Sequence, residues 1–154
     1  MRWEQGRAAL DAMISRRELE RIPASRDHAD LLLWQAGRHL SSARTIVSAD
    51  PVGAYQLLYD AARKSLCAIL ENQGLRPTSR GGHIAVYESV MAQLEPPMGK
   101  LLRPFDRMRR RRNEAEYPRV DAPAFDADDV TDEIPKVEDM LDLARRVLDQ
   151  MSPY

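Results

Sequence analysis

The residues best equipped for chemistry lie together in RMRRRRNEAEY, Arg107 to Tyr117. Guanidinium groups bind phosphate oxygens in bidentate fashion, and several in a row can follow a nucleic-acid backbone. Helical phase separates the members of this stretch. Leu101, Phe105, Met108 and Arg112 fall at i, i+4, i+7 and i+11, one face of a helix. The apolar side therefore ends in Arg112, and an arginine placed there needs a carboxylate, a carbonyl or a partner surface, because an unpaired buried charge is costly. Glu116 stands one turn further on and could pair with it. Arg107, Arg109, Arg110 and Arg111 form an electrostatic surround with the reach to contact RNA. Periodicity alone fits two readings equally: a solvated cationic face with Arg112 in a structural ion pair, or a phosphate-binding surface.

Few other residues qualify. His83 follows Gly81-Gly82 at the start of a helix, where it either bonds into the fold, the favoured reading, or offers a neutral imidazole for function. Asp60 either pairs with Lys64 four residues on or crosses to hold Arg112; the first needs no tertiary assumption. His28 and His39 sit on one helix without obvious company. No histidine–carboxylate set has metal-ligand spacing and no glycine-rich phosphate loop is present, so neither a metal nor a cofactor is expected. Cys67 is the only cysteine, and its neighbours Leu66, Ile69 and Leu70 mark it as a small core residue.

The elements that must position these residues follow from punctuation. Trp3 to about Ser15 is a short amphipathic segment, the N-terminal part of a helical stretch over 1–22 that Pro23 ends. Ser25 is an N-cap for a helix carrying Ala29, Leu32, Leu33, Ala36, Leu40, Ala43 and Val47; Asp50-Pro51 starts a second, which Gly74 ends. LRPTSRGG reads as a loop, and a helix from about His83 to Leu94 stops at Pro96-Pro97. The next runs from about Met98 to near Tyr117, because Pro118 disfavours helical geometry before it. Asp126 caps a final helix in which Pro135 predicts a kink or a later start. No alternating β-branched run appears. The expected fold is all-α, an antiparallel up-and-down bundle of four to five main helices plus a short N-terminal one, a single domain over 1–154.

Charge distribution adds to this. The net charge of −1 says nothing about partners, but Lys100 to Arg112 is strongly basic and Asp121 to Asp142 strongly acidic. The two blocks could clamp together within the fold or present a basic groove beside an acidic face. No apolar run approaches the roughly 20 residues that span a bilayer, and the N-terminus lacks the apolar core of a signal peptide. A cytoplasmic location without membrane contact is the expectation.

In this helix order, RRRNEAEY at the end of the penultimate long helix resembles the signature of HEPN domains, R-x-x-x-x-H, commonly with asparagine directly after the arginine. Arg112 and Asn113 match, and the histidine position falls on Tyr117. Upstream, AYQLLYDAARKSLCAILENQGLRPTSRGGH resembles the family's second long helix and following loop, so the likeness covers roughly 29–148. The resemblance implies a homodimer whose two motifs face one cleft and a metal-independent endoribonuclease, often the toxin of a toxin–antitoxin or phage-defence module paired with a minimal nucleotidyltransferase. Arg112 would hold the scissile phosphate, Asn113 would orient a neighbour, and Asp60 would steady the arginine. Tyr117 stands where a histidine would move the 2′-hydroxyl proton. A phenol, ordinarily titrating near pH 10, is a poor general base but can donate to phosphate or accept a nucleotidyl group. The alternative is a non-catalytic HEPN module that binds RNA, a nucleotide or a partner protein such as a nucleotidyltransferase or antitoxin.

Overall fold

A computed structural model describes residues 3–154, so the first two positions of the stretch over 1–22 lie outside the described residues. Local chemistry sets the helix ends. Helix α1 (Arg7–Ser15) buries Leu10 and Met13. Helix α2 (Arg26–Ile46) begins where the Ser25 hydroxyl accepts the His28 backbone N–H at 3.1 Å. Helix α3 (Pro51–Gln73) begins where the Asp50 carboxylate accepts the Gly53 N–H at 2.9 Å, with proline in its first turn. It ends at Gly74, left-handed with φ = 82°. Helix α4 (Gly82–Leu94) and helix α5 (Gly99–Glu116) follow, with Tyr117 closing α5.

The acidic segment then builds two helices. Asp126 and Asp129 make a reciprocal capping box for α6 (Ala127–Thr131), and the chain restarts as α7 (Ile134–Val147) with Pro135 in its first turn. Pro135 thus marks a later start and not a kink, because a proline is free of cost where no intrahelical N–H bond is due.

The result is an all-α helical bundle centred on α3, which touches α2, α4, α5, α6 and α7. Tyr55, Leu58, Tyr59, Ala62, Leu66, Ile69 and Leu70 of α3 are all buried, so this helix is covered on nearly every side. Cys67 packs against the core, and burial pushes its thiol up to about 11.

Three expectations are corrected. The helical stretch over 1–22 ends at Ser15, and Leu19–Arg21 is instead a strand, β1. It pairs antiparallel with β2 (Leu75–Pro77), cut from the segment expected to be a loop, with Leu19 opposite Pro77 and Arg21 opposite Leu75. Three-residue strands carry no periodic signal; this ribbon exists because Leu19 and Leu75 are buried and Arg76 meets Glu20 at 2.8 Å. On α5 the core leucine is Leu102, fully buried, while Leu101 is only partly covered. Either leucine keeps helical spacing to Phe105 and Met108, and the positions of α3 and α4 decide between them.

Candidate functional site

Three helices bring polar groups together around one buried phenol. Tyr59 of α3 is fully buried and stacks on Phe105 of α5, ring centroids 5.5 Å apart. The Arg112 guanidinium lies over the Tyr59 ring, 5.6 Å from its centroid, a cation–π arrangement. Its Nη2 also sits 2.7 Å from Glu116 Oε2, with about a third of each side chain exposed. From the first turn of α4, the His83 ring lies 5.6 Å from that of Tyr59, and the Tyr59 hydroxyl is 2.7 Å from His83 Nδ1. Arg112 and His83, 29 positions apart in sequence, thus converge on the same side chain.

Electrostatics define the protons here. Burial holds the Tyr59 phenol above its ordinary range, against the nearby charges of Arg112, Arg63 and Arg109. It keeps its proton and has one partner for it among the described residues, so Tyr59 donates and His83 Nδ1 accepts. The neutral imidazole then carries its proton on Nε2, which has no protein partner among the described residues. Burial, and then the charges of Arg63, Arg112 and Arg109, depress the His83 pKa, with Asp60 opposing.

The other candidate residues divide. Asn113 is exposed and its side chain makes no hydrogen bond among the described residues. Tyr117 is 70% exposed at the helix end. Arg107 and Arg111 tie to the acidic segment, at 2.9 Å from Glu133 and 3.3 Å from Asp129, and Arg111 also covers the Phe125 ring. Arg109 and Arg110 both pair with Asp106 of their own helix. The two charged blocks therefore join at two points and leave the rest of the basic face open. Arg103, Arg107, Arg110 and Arg111, with Tyr87 and the carboxylates of Asp106 and Glu114, line an open groove of about 430 Å³.

Asp60 takes neither of its expected partners. It faces Arg63 at 3.4 Å, while Lys64 turns to donate to His39 Nε2 at 2.7 Å. His28 also has company, its Nδ1 lying 3.1 Å from the buried Glu71. Both contacts reach between α2 and α3, which spacing along one helix does not reveal. No cluster of three or more histidine, cysteine or carboxylate side chains placed to hold a metal occurs among the described residues, and no described helix is long and apolar enough to cross a membrane.

His39 and His83 are both held below the ordinary imidazole value of 6.5, burial being the largest cause in each case. Lys64 and Arg63 add to the effect at His39, where Asp60 opposes it. The unfolded chain therefore takes up protons first as pH falls. The stabilisation is complete above about pH 6.5 and is lost on acidification through the depressed folded values. The urea midpoint is expected to be lower at about pH 5.5 than at about pH 7.5, and the His39→Gln/His83→Gln double variant should lose part of that difference. An identical pH slope in the double variant would show that neither imidazole is held neutral.

No family model, curated protein or solved structure matches this chain.

Proposed function

We propose that this chain is a HEPN-type module that binds RNA, with Arg112 engaging a backbone phosphate. The supporting observation is the Tyr59 shelf, where a partly exposed guanidinium and the free face of an imidazole converge from α5 and α4. The groove along Arg103, Arg107, Arg110 and Arg111, which Asp106 and Glu114 also line, lies on the opposite side of α5 from Arg112 and is a separate surface of mixed charge. Each arginine from Arg109 to Arg112 has a carboxylate of its own helix within 3.2 Å. Surface pairs of this kind add little stability, so a phosphate can displace them. A homodimer and a nucleotidyltransferase or antitoxin partner belong to the same reading.

Binding is favoured over cleavage because no activated base stands beside Arg112. Tyr117 is largely in solvent, and Nδ1 of His83 is taken by Tyr59. A second reading, a dimeric endoribonuclease toxin, draws on the free side chains of Asn113 and Tyr117 at the end of α5, where they could meet a second copy.

Arg112→Ala is expected to weaken binding of a single-stranded RNA by about tenfold or more and to lower the salt-dependence slope by about one. Filter binding across a salt series, with the same RNA checked on a denaturing gel, tests both readings. Unchanged affinity and slope in Arg112→Ala would remove the proposed role. Cleavage products that vanish in the Arg112→Ala and Tyr117→Phe variants would install the nuclease reading instead.

A further inference from the structure

We infer that His83 and Arg112 hold one phosphoryl group between them, His83 through its Nε2–H and Arg112 through its guanidinium, with Tyr59 fixing which imidazole nitrogen faces the ligand. The choice of RNA as the source of that group rests on the reading above; the two-residue site does not. It also enlists a residue that lies outside the arginine motif.

The geometry is built and not adventitious. Tyr59 cannot move away: its ring is fully buried and backed by Phe105. Its hydroxyl occupies Nδ1, so Nε2 is the one ring nitrogen left for a ligand. His83 also stands in the first turn of α4, where the Gly82 N–H is already taken by the Thr78 carbonyl but the helix dipole still favours an anion at the same end. Gly82 beside it has no atom within 4 Å of the place a Cβ would take, leaving open space at the approach. The charged groups facing His83 are Asp60 and Arg63 from α3 and Arg109 and Arg112 from α5. Arg63, Arg109 and Arg112 are each paired, with Asp60 at 3.4 Å, Asp106 at 2.9 Å and Glu116 at 2.7 Å, and of the three it is Arg112 that lies over the Tyr59 ring whose hydroxyl meets His83, so a ligand there competes with Glu116 for it.

One chemical consequence follows. With its proton on Nε2, His83 is a donor toward the ligand and not a base. It can bind a phosphodiester oxygen without removing the proton of a 2′-hydroxyl, so the site grips RNA and leaves it intact.

The test uses the full chain labelled with ¹⁵N and follows its imidazole nitrogens by NMR. Inorganic phosphate is titrated in one arm and a short oligouridylate in the other, with chloride at matched ionic strength as control. Free His83 is expected as the Nε2–H tautomer, and its Nε2 signal should shift with both ligands while those of His28 and His39 stay still. His83→Ala should weaken oligonucleotide binding about tenfold, and His83→Gln, whose amide can still donate, should restore most of it. If phosphate moves His83 but the oligonucleotide does not bind, the site stands and the RNA reading fails. If the oligonucleotide binds with His83 unmoved and His83→Ala unaffected, the site is overturned and the RNA reading survives. If neither ligand binds, both fall, and a free His83 in the Nδ1–H tautomer overturns the donor assignment by itself.

Discussion

Phe105→Ala is expected to destabilise the fold by about 3–5 kcal/mol, seen as a lower urea midpoint with little change in slope. Phe105 is fully buried between two tyrosines, with ring centroids 5.5 Å from Tyr59 and 6.0 Å from Tyr87. Truncation therefore removes two stacked contacts and opens a cavity against rings that cannot collapse into it. Tyr59 is held by its hydrogen bond to His83. The neighbouring residue sharpens the expectation. Pro104 lies inside α5 and has no N–H, so the Lys100 carbonyl lacks its usual helical donor. This part of α5 depends more than most helices on the face it packs. On the proposed RNA-binding reading, the same variant should also weaken binding beyond its cost in stability, since Tyr59 loses the support that holds its ring beneath Arg112. A loss below about 1 kcal/mol would mean that α3 and α5 do not pack through this ring.

Gly74→Ala is expected to cost about 2–4 kcal/mol, by two additive routes. The left-handed backbone, φ = 82°, disfavours any side chain by roughly 1–2 kcal/mol. The added Cβ would also lie 2.7 Å from the backbone oxygen of Ile22, where no flexible side chain can yield. That contact sits beside the hydrogen bond from the Ile22 N–H to the Gly74 carbonyl, 2.9 Å, which joins the end of α3 to the ribbon. Gly82 supplies the control. It is left-handed too, φ = 57°, but a Cβ there meets nothing within 4 Å. Gly82→Ala should therefore show the backbone part alone, about 1 kcal/mol. Equal losses at the two positions would show that the contact with Ile22 is not made.

These two positions differ in how far the sequence foretold them. Gly74 as the stop of α3, Asp50-Pro51 as its start, Ser25 and Asp126 as caps and Pro118 as the end of α5 were all legible. Each is a contest between a side chain and backbone groups within four residues. The placing of Arg112 on the apolar side of α5 was legible for the same reason, because helical phase is local. The β1–β2 ribbon was not, since its two strands stand more than 50 positions apart and each is too short to show a period. The partners of His28 and His39 also escaped, because local spacing suggests contacts along one helix, and the observed Lys64–His39 and His28–Glu71 contacts run between two; Asp60 stayed within its helix but paired with Arg63, once Lys64 had turned to His39.

By itself, then, the sequence determined where the long central helices start and stop, though not the end of α1 at Ser15 or the division of the last helix into α6 and α7, and that an arginine closes the apolar face of the most basic one. Tertiary structure alone decided what that arginine meets. Tyr59 from α3 and His83 from α4 reach Arg112 only once three helices have packed, and neither lies within a helical turn of it. Packing against Phe105 buries the phenol, the buried phenol keeps its proton, and that proton sets the face His83 presents. Burial and proximity between distant segments are properties of the packed bundle, so the chemistry at the end of α5 could be read only there.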